Sequence, residues 1–182
     1  MAHFERAIRE EKIYEGRIIS LSNYTVELEN GNTAPREVVR HHGGVCVAAL
    51  DSQDRLLMVR QFRFPAGEEL LELPAGKLEK GEEPMACGLR ELEEETGHTA
   101  GRLLPLARML PTPAYCTEVI HIFRALELTP THQHLDEDEF LSVVRVPFGE
   151  AVDMVLEGKI PDAKTQLGIL TLEALRRRES LR

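Results

Sequence analysis

The sequence predicts an α/β (α+β) protein in which a mixed β-sheet lies between α-helices, after an N-terminal antiparallel hairpin or sheet. Three observations predict this class. The elements run as strands, one helix, strands and then two helices, an order typical of layered mixed folds. The continuous apolar run at residues 45–50 suits a strand covered on both faces. Asn30-Gly31 is a favourable hairpin turn between two strand-like segments.

The first strands are indicated by apolar residues between turn-forming residues. We predict strands at residues 16–28, 33–39, 45–50, 55–64 and 70–73. Gly43-Gly44 separates the first two strands from the rest. We therefore expect residues 1–40 to form an N-terminal subdomain and residues 41–182 to form the main domain.

The segment at residues 84–96 has the strongest helix pattern in the chain. Pro84 suits the first turn, and Gly97 suits the position just after the last turn. Met85, Leu89 and Leu92 recur at helical spacing and predict one core-facing stripe. Beyond this helix we predict strands near residues 103–110, 119–126 and 140–146, and helices at 147–157 and 166–178.

Charge and cysteine content exclude several functional classes. The net charge of -9 argues against non-specific binding to nucleic acid or to an anionic membrane. The three scattered cysteines contain no CxxC pair, which argues against a thiolate zinc site and favours free thiols in a reducing cytoplasm. No signal peptide is expected at the charged N-terminus, and no apolar stretch reaches membrane-spanning length.

Glutamates are concentrated in and just before the helix at residues 84–96. Glu91, Glu94 and Glu95 stand at positions i, i+3 and i+4, so their carboxylates share one helix face and repel one another. Arg90 is the only cation within the helix. A hard divalent cation such as Mg²⁺ would turn the repulsion into attraction, whereas the alternative is an acidic face in solvent.

The residues before the helix favour the metal site. Gly76 is followed six residues later by Glu82, then by Arg90-Glu91-Leu92, Glu94-Glu95 and Gly97. This spacing resembles the Nudix box in eight positions, and only His98 departs, where an aliphatic residue is usual. The resemblance implies the Nudix fold and a hydrolase that uses Mg²⁺, with Mn²⁺ as a substitute.

The resemblance also assigns roles to the residues of the box. Glu91, Glu94 and Glu95 would bind metal together with the carbonyl oxygen of Ala75, and Glu82 would support this site. The structural residues would be Arg90, which would hold the glutamates through ion pairs, and Gly76 and Gly97, which would serve backbone geometry.

The flanking segments resemble the ADP-ribose pyrophosphatase branch of the family. They are residues 36–45, 59–63, 69–76, 112–118 and 158–165. Ala114 departs from the branch, which usually has glycine there. The implied reaction is hydrolysis of a nucleoside diphosphate sugar, foremost ADP-ribose to AMP and ribose 5-phosphate. Two alternatives stay open: another sugar nucleotide such as GDP-mannose, and a non-catalytic module that binds ADP-ribose.

In this branch the catalytic base lies outside the box, on an acidic loop that corresponds to residues 135–140. Glu139 is the first choice for the base and Glu137 the second. The substrate-binding residues implied by the resemblance are Arg63, Glu118, Glu72 and Arg36. The branch also implies a homodimer in which the N-terminal strands contact the second copy, while the substrate is a small molecule rather than a nucleic acid.

Overall fold

The computed structural model describes residues 3–137 and 139–181, and these residues divide into two units. One unit consists of residues 3–43 together with Leu110–Val119. The other consists of Gly44–Met109 together with residues 120–181.

The first unit contains a three-stranded antiparallel sheet. Its strands are β1 (Arg6–Glu15), β2 (Ile19–Glu27) and β3 (Thr33–His41), in the order β1-β2-β3. The turn at Gly31 has a φ of +81°, as its glycine allows. The sequence did not predict β1, because its residues are exposed along the whole strand and charges interrupt any apolar alternation.

The second unit contains two further sheets and all three helices. Its elements in chain order are β4 (Gly44–Ala49), β5 (Arg55–Arg63), β6 (Glu68–Glu72), β7 (Ala75–Lys77), α1 (Pro84–Thr96), β8 (His98–Met109), β9 (Ile120–Pro130), β10 (Leu141–Pro147), α2 (Phe148–Leu156) and α3 (Ala163–Ser180). A mixed sheet has the order β7-β4-β9-β8, with β4 and β9 parallel, and an antiparallel sheet has the order β10-β5-β6. Among the described residues, no helix is both long and apolar enough to cross a membrane.

Strand β4 lies between two apolar clusters. Val45 and Val47 pack in one cluster with Leu92 of α1. Cys46 and Ala48 pack in the other cluster, which includes buried residues of α2 and α3. The alternation of a strand thus places helices on both faces of the mixed sheet, and the predicted fold class is confirmed.

Helix α1 buries only part of the stripe predicted for it. Leu92 is buried and Leu89 packs against the same cluster, but Met85 is 47% exposed. The buried side also carries Cys87 and the carboxylates of Glu91 and Glu95. Apolar spacing did not reveal this face because two of its members are charged.

Candidate active site

The residues from β6 to β7 form the wall against which the acidic side of α1 packs. The N–H of Leu73 donates to Thr165 Oγ1 over 2.9 Å, and the N–H of Val47 donates to the carbonyl of Pro74 over 2.9 Å. The N–H of Ala75 donates to Glu95 Oε2, also over 2.9 Å. These bonds hold the backbone of residues 73–75 in place from three directions, including from the side chain of Glu95.

Gly76 allows α1 to approach this wall closely. A Cβ atom at residue 76 would lie 1.8 Å from the carboxyl carbon of Glu91, so any side chain there would displace that glutamate. The absence of a Cβ therefore lets a glutamate carboxylate lie directly on the backbone next to Ala75. Carboxylate and carbonyl oxygens that meet in this way suit a hard divalent cation.

Arg90 binds three of the glutamates. Its Nε and Nη2 donate to the two oxygens of Glu82 over 3.0 and 3.1 Å, and its Nη1 donates to Glu91 Oε1 and Glu94 Oε2, each over 2.9 Å. The hydrogen bonds from Arg90 lower the pKa of Glu82 to about 2. The same partners raise the pKa of Arg90, so the guanidinium stays charged.

The three glutamates Glu91, Glu94 and Glu95, here called the helix carboxylates, are not fully compensated by this arginine. Burial raises the pKa of Glu91 to about 7, against the opposing effect of Arg90. Burial also raises the pKa of Glu95 to about 8, and the neighbouring charge of Glu91 adds to this shift. Two carboxylates that resist ionisation side by side would gain from a cation between them.

The helix carboxylates are not arranged as a finished chelate. Within residues 3–137 and 139–181, no three His, Cys, Asp or Glu side chains converge as metal ligands. Arg90 holds Glu91 and Glu94 from one side, while Glu95 turns to the N–H of Ala75. The oxygen donors, the close approach at Gly76 and the raised pKa values nevertheless fit a divalent cation.

A second charged group, here called the Glu72 cluster, consists of Glu72, Arg63, Lys164 and Asp162. Arg63 donates from Nε and Nη2 to the two oxygens of Glu72 over 2.6 and 2.8 Å. Lys164 pairs with the same carboxylate and, over 3.0 Å, with Asp162. Burial opposes ionisation of Glu72, but its bonds with Arg63 and Lys164 outweigh this and lower its pKa.

The acidic loop brings one of the two candidate bases close to α1. Glu139 is half-buried, and its negative charge contributes to the raised pKa values of both Glu91 and Glu95. Its backbone N–H donates to the carbonyl of Asp136 over 3.0 Å. Glu137 is exposed in a turn, and Asp138 lies outside the described residues. The electrostatic effect of Glu139 on Glu91 and Glu95 favours it over Glu137 as the candidate base.

Two of the expected substrate residues, Arg36 and Glu118, lie in the first unit. Arg36 is on β3 and donates from Nε to Glu5 over 2.9 Å. Glu118 is half-buried, with Oε1 at 3.5 Å from Nδ1 of His41. The other sequence-predicted site residues all belong to the second unit.

Sequence reasoning gave no role to Lys164, although one signal pointed to it. Asp162 caps α3 by accepting the N–H of Thr165, which puts Lys164 in the first helical turn. A cation is disfavoured there by the helix dipole, so Lys164 requires a carboxylate partner. Which carboxylate it contacts could not be read from the sequence, because Glu72 is 92 positions away.

Comparison with known proteins adds family information to this geometry. A family model described as the NUDIX domain matches residues 40–166. The "ADP-ribose pyrophosphatase" of Bacillus subtilis (strain 168) is 43% identical over 171 residues, which span 93% of this chain and 92% of that protein. The "Methanol dehydrogenase activator" of Bacillus methanolicus is 40% identical over the same shares of the two chains.

More distant proteins are also similar. A "GDP-mannose pyrophosphatase" of Salmonella paratyphi B (strain ATCC BAA-1250 / SPB7) is 32% identical over 174 residues, with coverage of 86% of this chain and 89% of that protein. A solved structure described as an ADP compounds hydrolase superposes with a TM-score of 0.84 over 96% of this chain and 95% of its own. At 21% sequence identity, this match supports the fold alone.

Proposed function

The chain belongs to the Nudix family, and from this membership we propose that it hydrolyses the pyrophosphate bond of a nucleoside diphosphate sugar in a Mg²⁺-dependent reaction. The leading substrate is ADP-ribose, which would yield AMP and ribose 5-phosphate. The observation that carries the proposal is the pair of buried glutamates, Glu91 and Glu95, with raised pKa values beside the backbone of Ala75 and Gly76.

The metal would be held by the helix carboxylates and the carbonyl oxygen of Ala75, with Glu82 in support. Mg²⁺, or Mn²⁺ in its place, supplies positive charge that neutralises a pyrophosphate and favours ionisation of water. For the helix carboxylates to bind the metal, Arg90 would keep its ion pair with Glu82 and lose part of its contact with Glu91 and Glu94. Its bidentate bond with Glu82 supports such a position.

Other residues would act as the catalytic base and bind the substrate. Glu139 would accept the proton of the attacking water, because its charge already acts on Glu91 and Glu95. Arg63, whose side chain is 37% exposed, would contact a phosphate or the distal ribose while Glu72 orients its guanidinium. Glu118 and Arg36 are the other two residues proposed to bind substrate.

ADP-ribose is favoured over GDP-mannose by the degree of similarity. The relative named for ADP-ribose is 43% identical, whereas the relative named for GDP-mannose is 32% identical. The name of the relative at 40% identity describes an effect on another enzyme and does not bear on the choice of sugar nucleotide. A non-catalytic binding module is disfavoured because all three helix carboxylates are retained.

A substrate panel tests this proposal. Purified protein with Mg²⁺ is assayed for kcat/KM on ADP-ribose and GDP-mannose, with Glu94→Gln protein prepared in parallel to measure contaminating activity. We expect ADP-ribose to give the higher value. A clearly higher value for GDP-mannose would replace the substrate. Tight, metal-independent binding of ADP-ribose without any hydrolysis would identify a binding module instead.

The choice of base is tested by a matched pair of variants. Glu139→Gln should reduce kcat strongly, because the amide cannot accept the proton of water. Glu137→Gln has the same chemistry in the same loop and should retain most of the turnover. The reverse pattern would assign the base to Glu137.

We also propose that the protein is a cytoplasmic homodimer in which the N-terminal sheet contacts the second copy. Large apolar side chains are exposed on and next to β1, at Phe4, Ile8, Ile13 and Tyr14. Such side chains on a strand that is exposed throughout are suited to burial against another chain. Light scattering should give twice the mass of the 20.5 kDa chain, and Ile8→Lys should shift the protein towards monomer.

A further inference from the structure

Residues 131–134 connect β9 to the acidic loop and run across the C-terminal end of α1. The N–H of Thr131 donates to the carbonyl of Gly97 over 2.7 Å, and the N–H of His134 donates to the carbonyl of Glu94 over 3.1 Å. The side-chain amide of Gln133 donates from Nε2 to the carbonyl of Glu95 over 2.7 Å. Three donors from one segment therefore reach the end of the helix.

These donors satisfy carbonyl groups that a helix leaves without partners at its end. The N–H of Gly97 donates to the carbonyl of Glu93 over 2.8 Å, which leaves the next carbonyls to donors outside the helix. A Cβ atom at residue 97 would lie 2.9 Å from the backbone N of Gln133. The final glycine of the box therefore permits the close approach of residue 133, in addition to its left-handed φ of +66°.

Two of the three capped carbonyls are those of Glu94 and Glu95, whose side chains are proposed metal ligands. The side chain of Gln133 thus holds the backbone of one proposed metal ligand, and its own backbone leads within six residues to Glu139. Glu139 is half-buried, and its N–H donates to the carbonyl of Asp136 over 3.0 Å within the same loop. The side-chain amide of Gln133 therefore connects the segment that leads into the acidic loop to the C-terminal end of α1.

We propose that Gln133 is a positioning residue that anchors the acidic loop to α1, so that Glu139 is held over the helix carboxylates. This inference rests on the proposed function, since it assumes that Glu139 acts on a substrate bound at these carboxylates. Gln133 itself does not contact reacting atoms. It acts through the placement of Glu139, so its loss should affect turnover more than the binding of substrate or metal.

The test uses three substitutions at residue 133 in the full chain. Gln133→Leu removes the donor, and Gln133→Glu places a carboxylate against a carbonyl at the negative end of the helix. Gln133→Lys keeps an N–H donor that the helix end favours. We expect the first two to lower kcat about ten-fold or more, since a displacement of about 1 Å can cost about 100-fold. In these two variants, KM and the affinity for Mg²⁺ should stay within about two-fold of wild type, a change of under about 0.5 kcal/mol. Gln133→Lys should retain most of the wild-type turnover.

Gln166 provides a matched control in the same unit. Its side-chain amide also donates to a backbone carbonyl, that of Ile160, over 2.6 Å. Gln166→Leu should lower the melting temperature much as Gln133→Leu does, but with kcat retained. If Gln133→Leu also loses only stability, Gln133 is a helix cap alone and the proposal is overturned. An equal loss of Mg²⁺ affinity and kcat would overturn it too, because the effect would then arise at the metal ligands.

Hydrogen–deuterium exchange separates failure of this inference from failure of the proposed function. The N–H of Glu139 is hydrogen-bonded to Asp136, so its exchange reports on the loop whether or not a substrate is known. Gln133→Leu should accelerate this exchange, and Gln166→Leu should leave it unchanged. Unchanged exchange in Gln133→Leu would overturn the anchoring role even if the protein hydrolyses ADP-ribose.

Discussion

The Glu72 cluster and the helix carboxylates lie in the same unit, and each contains a buried glutamate, Glu72 in one and Glu95 in the other. Glu72 and Glu95 are almost equally inaccessible, at 1% and 2% exposure. The pKa of Glu72 is nevertheless lowered, while that of Glu95 is raised to about 8. Burial acts in the same direction on both carboxyl groups, so the number of nearby cations decides the outcome.

The two groups differ in charge balance. In the Glu72 cluster, two acids meet two bases, Arg63 and Lys164, and the charges compensate one another. In the box, one guanidinium, that of Arg90, pairs with Glu82, Glu91 and Glu94. Among the described residues, no ion-pair partner is present for Glu95. The first group is therefore balanced in charge, whereas the second would gain from an added cation.

The largest expected effect follows from removal of a charge from the helix carboxylates. Glu95→Gln should reduce kcat about a thousand-fold, about 4 kcal/mol in activation free energy, because it removes a proposed metal ligand. Without metal and above about pH 8, the variant should unfold at a temperature no lower than wild type, since the wild-type carboxylate is then a buried charge and the amide is neutral. Steady-state kinetics with Mg²⁺ and thermal melts with a chelator measure the two effects. Wild-type turnover would exclude Glu95 from the site.

The same substitution in the Glu72 cluster should act on stability. Glu72→Gln should lower the free energy of unfolding by about 3 kcal/mol, because two buried cations lose their shared partner. Denaturant unfolding measures this loss. Adding Lys164→Met should recover part of it, since one unpaired cation is then removed. An unchanged free energy of unfolding in Glu72→Gln would show that the cluster is not a balanced ion group.

A smaller loss is expected when one of the two cations is removed. Lys164→Met should cost about 2 kcal/mol in the free energy of unfolding, because Glu72 keeps its bonds with Arg63 but loses a charged donor. Lys159→Met is the control, since the ion pair of Lys159 with Glu157 is exposed to solvent and should contribute nothing measurable. Equal losses of unfolding free energy in Lys164→Met and Lys159→Met would contradict the distinction between the Glu72 cluster and an exposed ion pair.

The smallest effect is a dependence of stability on pH. A glutamate in an unfolded chain has a pKa of about 4.3, whereas the pKa of folded Glu95 is about 8. Between these values the folded state binds the extra proton, so the stability of the metal-free protein falls as pH rises from about 5 to about 8. Relative to Glu95→Gln, wild type should lose at least about 1 kcal/mol over this range.

Chemical denaturation at several pH values measures this dependence of stability on pH. Glu83→Gln is the control, because Glu83 is an exposed glutamate at the start of the same helix. The stability of Glu83→Gln should change with pH as that of wild type does. Saturating Mg²⁺ should remove the pH dependence of wild-type stability, since the cation favours the ionised carboxylates. A constant difference between wild type and Glu95→Gln at all pH values would contradict the raised pKa.

Much of the fold could be predicted from local patterns. The apolar run of β4, the helix at Pro84–Thr96 and the hairpin turn at Gly31 each carry their signal within a few residues. Strand β1 carried no such signal, because its residues are exposed and its place is set by pairing with β2. Strand β7 has only three residues, too few to show a period.

The spacing of the box could be read from the sequence alone, and with it the family. The shared face of Glu91, Glu94 and Glu95 could also be read there, because helix geometry places residues i, i+3 and i+4 on one side wherever the helix lies. Which of these carboxylates has a cation partner depends on the tertiary structure. The carboxylate of Glu72 meets Lys164 across 92 positions, and that of Glu95 accepts the N–H of Ala75 across 20. Burial and charge pairing depend on which distant segments the fold brings together. For this reason Glu72 and Glu95, which are the same residue type at similar depth, have opposite pKa shifts.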